Sequence, residues 1–417
     1  MMKASFAYLA AASILHDGNS VARILGDYEG LLREAGGRPS GPTEAAGLPL
    51  VHVVLTGGTE GLVLARAAER LAASPKEPVL LVAHPFHNSL PACLEILARL
   101  RRDGVSGRIL YLEGPRDLEG AARLSEAARL AEVCAAMGRT RIGAVGAPSD
   151  WLVASSQGAE AVRESWGCEL VDVPIEELAG RYRSLAGAAP DASAERFSSG
   201  SRFCREAGPS DLASAFRVYA ALRSLVDELR LDAVTLRCFD LVTGESTTGC
   251  YALSRLADEG VDSGCEGDVP SILALRSMRL LSGKPAWMAN PSRLDAGKRE
   301  LLLAHCTVPA GIVEGYGLRS HFESGLGVGI QGEFRRGPIT LARIGGARLE
   351  RLWLAEGEIV ESGHEEGLCR TQARVRLDSA SPEDLLSAPL GNHLVLVQGR
   401  FERLAADCRS LIAPVGA

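Results

Sequence analysis

Short apolar runs alternate with amphipathic helical segments through the first third of the chain, and this alternation constrains the fold most. Each run has the length of a buried strand, and the segment after it has apolar residues at helical spacing. Such alternation is typical of a parallel sheet with helices on both faces. The predicted strands are Ser5–Ala11, Leu50–Leu55, Pro78–Ala83 and Arg108–Leu112, with helices at Ser20–Ala35, Gly61–Ala73 and Leu90–Arg102. We therefore expect a Rossmann-like α/β domain over residues 1–139.

The same pattern restarts near residue 140 and predicts a second parallel-sheet domain over residues 140–310. Residues 186–210 are rich in Ala, Ser, Gly and Pro and are interpreted as a surface excursion within it. The predicted strands are Arg141–Gly146, Glu169–Val173 and Ala233–Cys238, and the predicted helices are Ala159–Trp166, Ser210–Leu229, Tyr251–Glu259 and Ser271–Leu281.

After residue 310 the pattern changes to short strands separated by glycine-containing turns, which predicts a β-barrel-like domain over residues 311–417. A helix at Phe401–Ile412 is expected to close the chain. The predicted strands are Leu326–Phe334, Ile339–Ile344, Arg348–Leu354, Gly357–Glu361, Thr371–Leu377 and His393–Gly399.

Composition excludes several classes of function. The chain has 417 residues, 46% of them hydrophobic and 23% charged, with a net charge of −7 and no block of Lys and Arg. Nucleic acid is therefore not expected as a partner, because phosphate neutralisation needs clustered basic residues. No apolar run is long enough to span a bilayer, so no membrane role is expected either.

The ten cysteines are scattered and none forms a C-x-x-C pair. In a chain of this length the pattern favours buried thiols in a reducing compartment. The apolar N-terminus could be interpreted as a short signal peptide, but a first strand fits better because a helical segment follows at once. We therefore predict a cytoplasmic protein.

Two carboxylates lie on one tight loop. Glu266 and Asp268 flank Gly267, just before a long apolar run. Residues two apart on an extended loop point the same way and can share one ion or one substrate. The alternative is a solvated helix start at which the carboxylates offset the helix dipole. Cys265 beside them is interpreted as a packed thiol, because no cationic neighbour activates it.

Two histidines accompany strand-like runs. His305 ends an apolar run, and His393 begins another after Gly391-Asn392. Each is either a candidate metal ligand or a satisfied core histidine. With the two carboxylates, His393 would make an oxygen-rich site with one nitrogen, suited to a divalent ion such as Mn²⁺. The histidines at positions 16, 52, 321 and 364 are interpreted as structural.

Polar residues also follow the predicted strands of the first domain. The turn Thr56–Gly61 and the loop His84–Ala92 lie where ligands gather in open α/β sheets. Glu60, His87 and Asn88 are candidate sugar-binding residues there, although a helix-capping role explains the same residue types. Gly146–Trp151 repeats this arrangement in the second domain.

In this order, these segments resemble the L-fucose/L-arabinose isomerase family, in particular its shorter, fucose-isomerase-like branch. The resemblance covers nearly the whole chain, and its ordered set of motifs is more specific than any single motif. Besides the loops above, it is carried by Cys265–Val269, Ser282–Pro285, His305-Cys306, Cys369–Thr371 and Gly391–His393.

The resemblance implies two α/β domains, a barrel-like C-terminal domain, a Mn²⁺ site and a homo-oligomer with active sites at subunit interfaces. It assigns Asp268 and His393 as metal ligands and places His305 near the metal. The second acidic ligand stays open, because one alignment gives Glu266 and another gives Cys250. Asn290 stands where relatives tend to carry an acid.

These features predict a metal-dependent aldose–ketose isomerase that acts on an open-chain sugar through an enediol. Glu266 or Asp268 would transfer the proton, with Glu266, Asp268, His393 and His305 around Mn²⁺, or around Co²⁺ or Mg²⁺. Glu60, His87, Asn88 and Asn290 would bind the sugar. The alternatives are a metal-assisted epimerase or lyase and a non-catalytic sugar-binding protein with the same fold. Which sugar is bound stays open, and sulfonated and phosphorylated forms are included.

Overall fold

Five parallel strands form the sheet of the N-terminal unit in the computed structural model, which describes residues 5–41, 47–187 and 192–412. This unit comprises the described residues up to Arg139, residues 165–167 and the end of the C-terminal helix. The strand order is β2-β1-β3-β4-β5, with β1 Phe6–Ala11, β2 Gly37–Pro39, β3 Leu50–Val54, β4 Val79–Ala83 and β5 Gly107–Tyr111.

Helices cover both faces of this sheet, as the sequence predicts. Strand residues of alternate parity, such as Leu80 and Leu81, pack into two separate apolar clusters because side chains alternate across a strand. Helices α1 and α4 contribute to one cluster, and α2 and α3 to the other. The helices are α1 Gly18–Glu34, α2 Glu60–Ala73, α3 Ser89–Arg102 and α4 Leu118–Arg139.

The second unit contains a parallel sheet of order β7-β6-β8-β9. Its strands are β6 Arg141–Val145, β7 Glu169–Val173, β8 Ala233–Leu236 and β9 Asp262–Cys265. Its helices are α5 Ala159–Trp166, α6 Ile175–Ser184, α7 Ala192–Gly200, α8 Pro209–Leu229, α9 Phe239–Glu245, α10 Cys250–Asp258 and α11 Val269–Ser282. Of the predicted excursion at 186–210, positions 188–191 lie outside the described residues, and α7 lies within it.

The same unit continues into a closed antiparallel barrel of order β10-β11-β16-β15-β14-β17, in which β17 pairs back to β10. Alternate residues point inward and build an apolar core around Trp287, Leu341 and Leu396. The barrel strands are β10 Trp287–Asp295, β11 Glu300–His305, β14 Gly337–Gly345, β15 Arg351–Gly363, β16 Thr371–Leu377 and β17 Leu394–Gln398.

The remaining elements lie around the barrel. A separate two-stranded sheet pairs β12 Gly315–Arg319 with β13 Gly329–Glu333, and a 3₁₀ turn covers Ala310–Ile312. The chain also forms α12 Asp384–Ser387 and α13 Glu402–Ile412. The predicted fold class, two parallel-sheet regions followed by a barrel, is confirmed. The barrel begins at Trp287, before the predicted domain start at 311, because β10 and β11 supply its first two strands.

No helix in the described part of the chain is long and apolar enough to cross a membrane.

Candidate metal centre

A tight turn after β9 places the two predicted carboxylates. Glu266 and Gly267 both have positive φ angles, 65° and 71°. A Cβ on Gly267 would approach the backbone of Ala147 and Pro148 to 2.8 Å, so this position requires glycine. Asp268 follows and caps α11 by accepting a hydrogen bond of 2.8 Å from the Ser271 backbone N–H.

Three side chains from different elements meet beside this turn. Nε2 of His393, the residue before β17, lies 3.4 Å from Oε1 of Glu266. Nε2 of His305, the last residue of β11, lies 4.0 Å from the same oxygen. All three residues are buried, and their ligand atoms lie within 4.8 Å of one another. The fold therefore brings together three groups that are far apart in sequence.

The hydrogen bonds of the two histidines leave nitrogens available toward the centre of the cluster. His393 donates from Nδ1 to Oδ2 of Asp268 at 2.8 Å, and its buried Nε2 has no hydrogen-bond partner among the described residues. His305 Nδ1 lies 2.8 Å from the Thr307 hydroxyl, which leaves Nε2 facing Glu266. Nε2 of His393 is buried without a hydrogen bond to the described residues, which is costly for a polar atom, and in the neutral ring its lone pair is available to an ion beside Glu266.

A buried ion pair orients His393. Nη1 of Arg343 lies 3.0 and 3.3 Å from the two oxygens of Asp268. Both residues are essentially inaccessible, at 1% and 0% exposure. Arg343 also donates to the hydroxyls of Ser155 and Ser271. Both Asp268 oxygens are thus occupied by Arg343, the α11 cap and His393.

The charges in this network shift its pKa values. Burial raises the pKa of Asp268, but Arg343 and His393 outweigh burial and hold it below its usual range. Burial lowers the pKa of His393, but the hydrogen bond to Asp268 and the charges of Asp268 and Glu266 reverse this and raise it to about 9. Burial and the neighbouring His393 lower the pKa of His305 to about 3. For Glu266, His393 and His305 outweigh burial, so its pKa is lowered.

One aromatic wall adjoins the cluster. The indole Nε1 of Trp151 donates to Oε2 of Glu266 at 2.6 Å. The Trp151 ring meets Phe239 edge-on at 4.9 Å, and Phe239 meets His321 edge-on at 5.6 Å. A half-exposed indole beside a buried carboxylate is an arrangement suited to binding a polar organic ligand.

The donor set fits a divalent cation. One carboxylate oxygen and two imidazole nitrogens suit borderline ions such as Mn²⁺, Co²⁺ and Zn²⁺. The unpartnered Nε2 of His393 is the observation that carries this assignment. Asp268, also predicted as a ligand, lies just behind His393. An acceptor on the other ring nitrogen is the usual outer partner of a metal-bound histidine.

The other two candidates in this unit are Asn290 and Cys250. Asn290 is half-buried on β10 and pairs with Ala304, the residue before His305. Cys250 begins α10, and burial raises the pKa of its thiol well above the usual value. It is not among the three clustered groups.

The sugar-binding candidates of the N-terminal unit lie where its strands end. Glu60 is the first residue of α2, and His87 and Asn88 precede α3. His87 and Asn88 have left-handed backbone conformations, with φ of 54° and 58°. The Gly57 N–H donates to the His87 carbonyl at 2.8 Å, which joins the two loops. His87 and Asn88 are exposed and can contact a ligand.

Sequence reasoning missed two residues beside the cluster. Arg343 lies in an otherwise apolar strand, and such a lone charge is itself a signal of a buried ion pair. His321 was interpreted as structural because its neighbours in sequence carry no motif. Only the fold brings it to Phe239.

No protein-family model matches the chain. A stretch of 95 residues is 30% identical to the sulfoquinovose isomerase of Clostridium sp. (strain MSTE9), covering 22% of this chain and 21% of that protein. Over 132 residues the chain is 26% identical to the sulfoquinovose isomerase of Alkalicoccus urumqiensis, covering 30% of each. The chain thus spans less than a third of the length of these curated relatives. Both names denote a sugar isomerase, which agrees with the expected enzyme class; the fucose-isomerase branch stays a prediction.

Proposed function

We propose that this protein is a metal-dependent aldose–ketose isomerase. The observation that carries the proposal is the buried group of Glu266, His305 and His393, with an imidazole nitrogen that lacks a partner. The names of the two curated relatives support the reaction class.

We assign Glu266, His305 and His393 as the residues that hold the ion, with Mn²⁺ as the first candidate and Co²⁺ or Mg²⁺ as alternatives. A bound divalent ion supplies a Lewis acid that polarises a sugar carbonyl. Asp268 then acts through His393: it fixes the ring orientation and keeps the proton on Nδ1, so that Nε2 can bind the ion.

Isomerisation moves a proton from C2 of the open-chain aldose to C1, through an enediol. We prefer Glu266 to Asp268 for this transfer, because Asp268 is fully buried behind His393 and paired with Arg343, whereas Glu266 contacts the half-exposed Trp151. The O2 proton moves to O1 in the same conversion, so the atoms balance. Trp151 holds the Glu266 carboxylate in position through its indole N–H.

As substrate we propose a 6-sulfonated aldose, with sulfoquinovose as the first candidate, on the basis of the relatives' names. Glu60, His87 and Asn88 remain proposed contacts to its distal groups, supplied by a neighbouring subunit of a homo-oligomer, and Asn290 remains a proposed contact. We also propose a cytoplasmic location, which the ten free cysteines support.

The test is to strip the protein with chelator, restore Mn²⁺ and assay ketose formation. The panel contains sulfoquinovose, glucose as its match without sulfonate, and L-fucose. The proposal expects Mn²⁺-dependent turnover, fastest on sulfoquinovose. Turnover of L-fucose alone would overturn the substrate assignment. Mn²⁺ binding together with formation of an epimer or a cleaved product would favour the epimerase or lyase. Absence of both Mn²⁺ binding and turnover would favour a non-catalytic sugar-binding protein.

A further inference from the structure

We infer that His321 is a substrate-binding residue that donates a hydrogen bond from Nε2 to a sugar oxygen near the metal centre. The inference rests on the proposed isomerase function and adds a residue that neither motif nor resemblance assigned.

The loop after β12 fixes the imidazole ring. The His321 backbone N–H donates to Leu326, and the Gly325 N–H donates back to the His321 carbonyl, both at 2.9 Å. The Ser324 backbone N–H points at Nδ1 of His321 at 3.4 Å, and the Ser324 hydroxyl lies 3.0 Å from the same nitrogen. The ring is therefore positioned by its own turn.

These contacts also determine the tautomer. A backbone N–H can only donate, so Nδ1 is the acceptor and the ring proton of a neutral His321 is on Nε2. Burial lowers the pKa of His321, which keeps the ring neutral near pH 7. Nε2 has no hydrogen bond to any residue in the described ranges, so it is a donor without a protein acceptor.

The surroundings of His321 connect it to the candidate centre. Its ring packs edge-on against Phe239, which packs against Trp151, the donor to Glu266. The charge of Glu266 raises the pKa of His321 against the effect of burial, so the ring lies within electrostatic reach of that carboxylate. Aromatic rings with a few fixed polar groups are a usual lining for small-molecule sites. His321 thus supplies a neutral, preoriented hydrogen-bond donor in the row of aromatic rings that ends at Trp151, the donor to Glu266.

The experiment compares three substitutions at this position with sulfoquinovose as probe. His321→Gln keeps an amide donor at about the reach of Nε2. His321→Asn keeps an amide one methylene shorter, and His321→Leu keeps volume against Phe239 without a donor. His364→Leu is the matched control, because His364 is half-exposed and hydrogen-bonds only to Gln331 in the described structure.

We expect kcat/KM to fall by about 10- to 100-fold in the Leu and Asn variants, the cost of one lost hydrogen bond to substrate, and to recover to within about fivefold of wild type in the Gln variant. Mn²⁺ affinity, measured separately by calorimetry, should stay within about twofold in all variants, because His321 is not assigned as a ligand. The control should retain wild-type kinetics.

Equal kinetics in the Gln, Asn and Leu variants would overturn the inference and leave His321 as a packing residue. If the Leu variant does not fold, the contrast between Gln and Asn decides. A loss of Mn²⁺ affinity in the Asn variant would also overturn it, because His321 would then support the ion. A wild-type protein that binds Mn²⁺ but isomerises no sugar would instead refute the proposed function.

Discussion

Both units of this protein place histidines beside strand ends, after β4 of the N-terminal sheet and before β17 of the barrel, but in different states. In the N-terminal unit, His84 has both ring nitrogens bonded, to the Leu55 carbonyl and the Phe86 N–H, and His87 is exposed. In the second unit, His393 is fully buried with Nε2 unpartnered beside Glu266. Position at a strand end therefore does not define a metal centre, whereas the convergence of three buried ligand groups does.

The largest contrast expected from this comparison is in metal affinity. His393→Gln removes the unpartnered ligand and should weaken Mn²⁺ binding by more than about 100-fold. Loss of only the outer partner of a ligand already costs up to about 100-fold in metal affinity. His87→Gln, the matched change in the N-terminal unit, should leave affinity within about twofold. Calorimetric titration of chelator-treated protein measures both. Similar losses in the two variants would erase the distinction between the two regions.

The second contrast is in stability. Asp268→Asn leaves the buried Arg343 without its counter-charge and should lower the free energy of unfolding by about 3–5 kcal/mol. Asp240→Asn removes a partly exposed partner of Arg237 and should cost under about 1 kcal/mol. Urea unfolding of the metal-free proteins gives both values. If Asp268→Asn leaves the free energy of unfolding unchanged, Arg343 and Asp268 do not form a stabilising buried pair.

The sequence predicted the parallel sheets well, because strands buried on both faces are continuous apolar runs, such as Val79–Ala83. It missed β10 because Asn290 and Pro291 interrupt that pattern, and the structure accommodates them at a shift in register between Pro291 and Arg293. The barrel therefore includes two strands that lie before the predicted domain start at 311.

The candidate site was predictable in part. Glu266, His305 and His393 could be named individually, because each residue type suits a divalent ion, Glu266 lies on a glycine-containing loop and each histidine adjoins an apolar run. Their convergence depends on barrel closure, which places β11 and β17 on either side of β10. The partner of Asp268 could not be predicted, because Arg343 is 75 residues away in sequence.

The third prediction concerns protons released on metal binding. In the metal-free protein the pKa of His393 is about 9, so its ring is protonated at pH 7, whereas His305 with a pKa of about 3 is neutral. Because a ligand imidazole must be neutral, Mn²⁺ binding should release about one proton at pH 7 and strengthen about tenfold per pH unit up to pH 9.

Titration in buffers of different ionisation enthalpy counts this proton. Glu266 and Asp268 release none, because both pKa values are lowered and both groups are already ionised at pH 7. Mn²⁺ binding without proton release at pH 7 would contradict the prediction that His393 is protonated in the metal-free protein and loses its proton when the ion binds.

The smallest expected effect tests the N-terminal unit. The buried Ser89 hydroxyl donates to the Val54 carbonyl at 2.5 Å and accepts from the His84 N–H at 3.1 Å. Ser89→Ala leaves both backbone groups unsatisfied and should cost about 1–3 kcal/mol of stability. Mn²⁺ affinity should not change. Thermal unfolding and metal titration of the same sample measure both, and a drop in affinity would show that this region supports the metal centre.

The most direct test of the central claim is anomalous diffraction at the manganese edge from crystals of the Mn²⁺-loaded protein. We expect a peak within bonding distance of Glu266 and of Nε2 of His305 and His393, with Asp268 hydrogen-bonded to His393 Nδ1 and not bound to the ion. A peak at His84 or His87, or no peak beside Glu266, would contradict it.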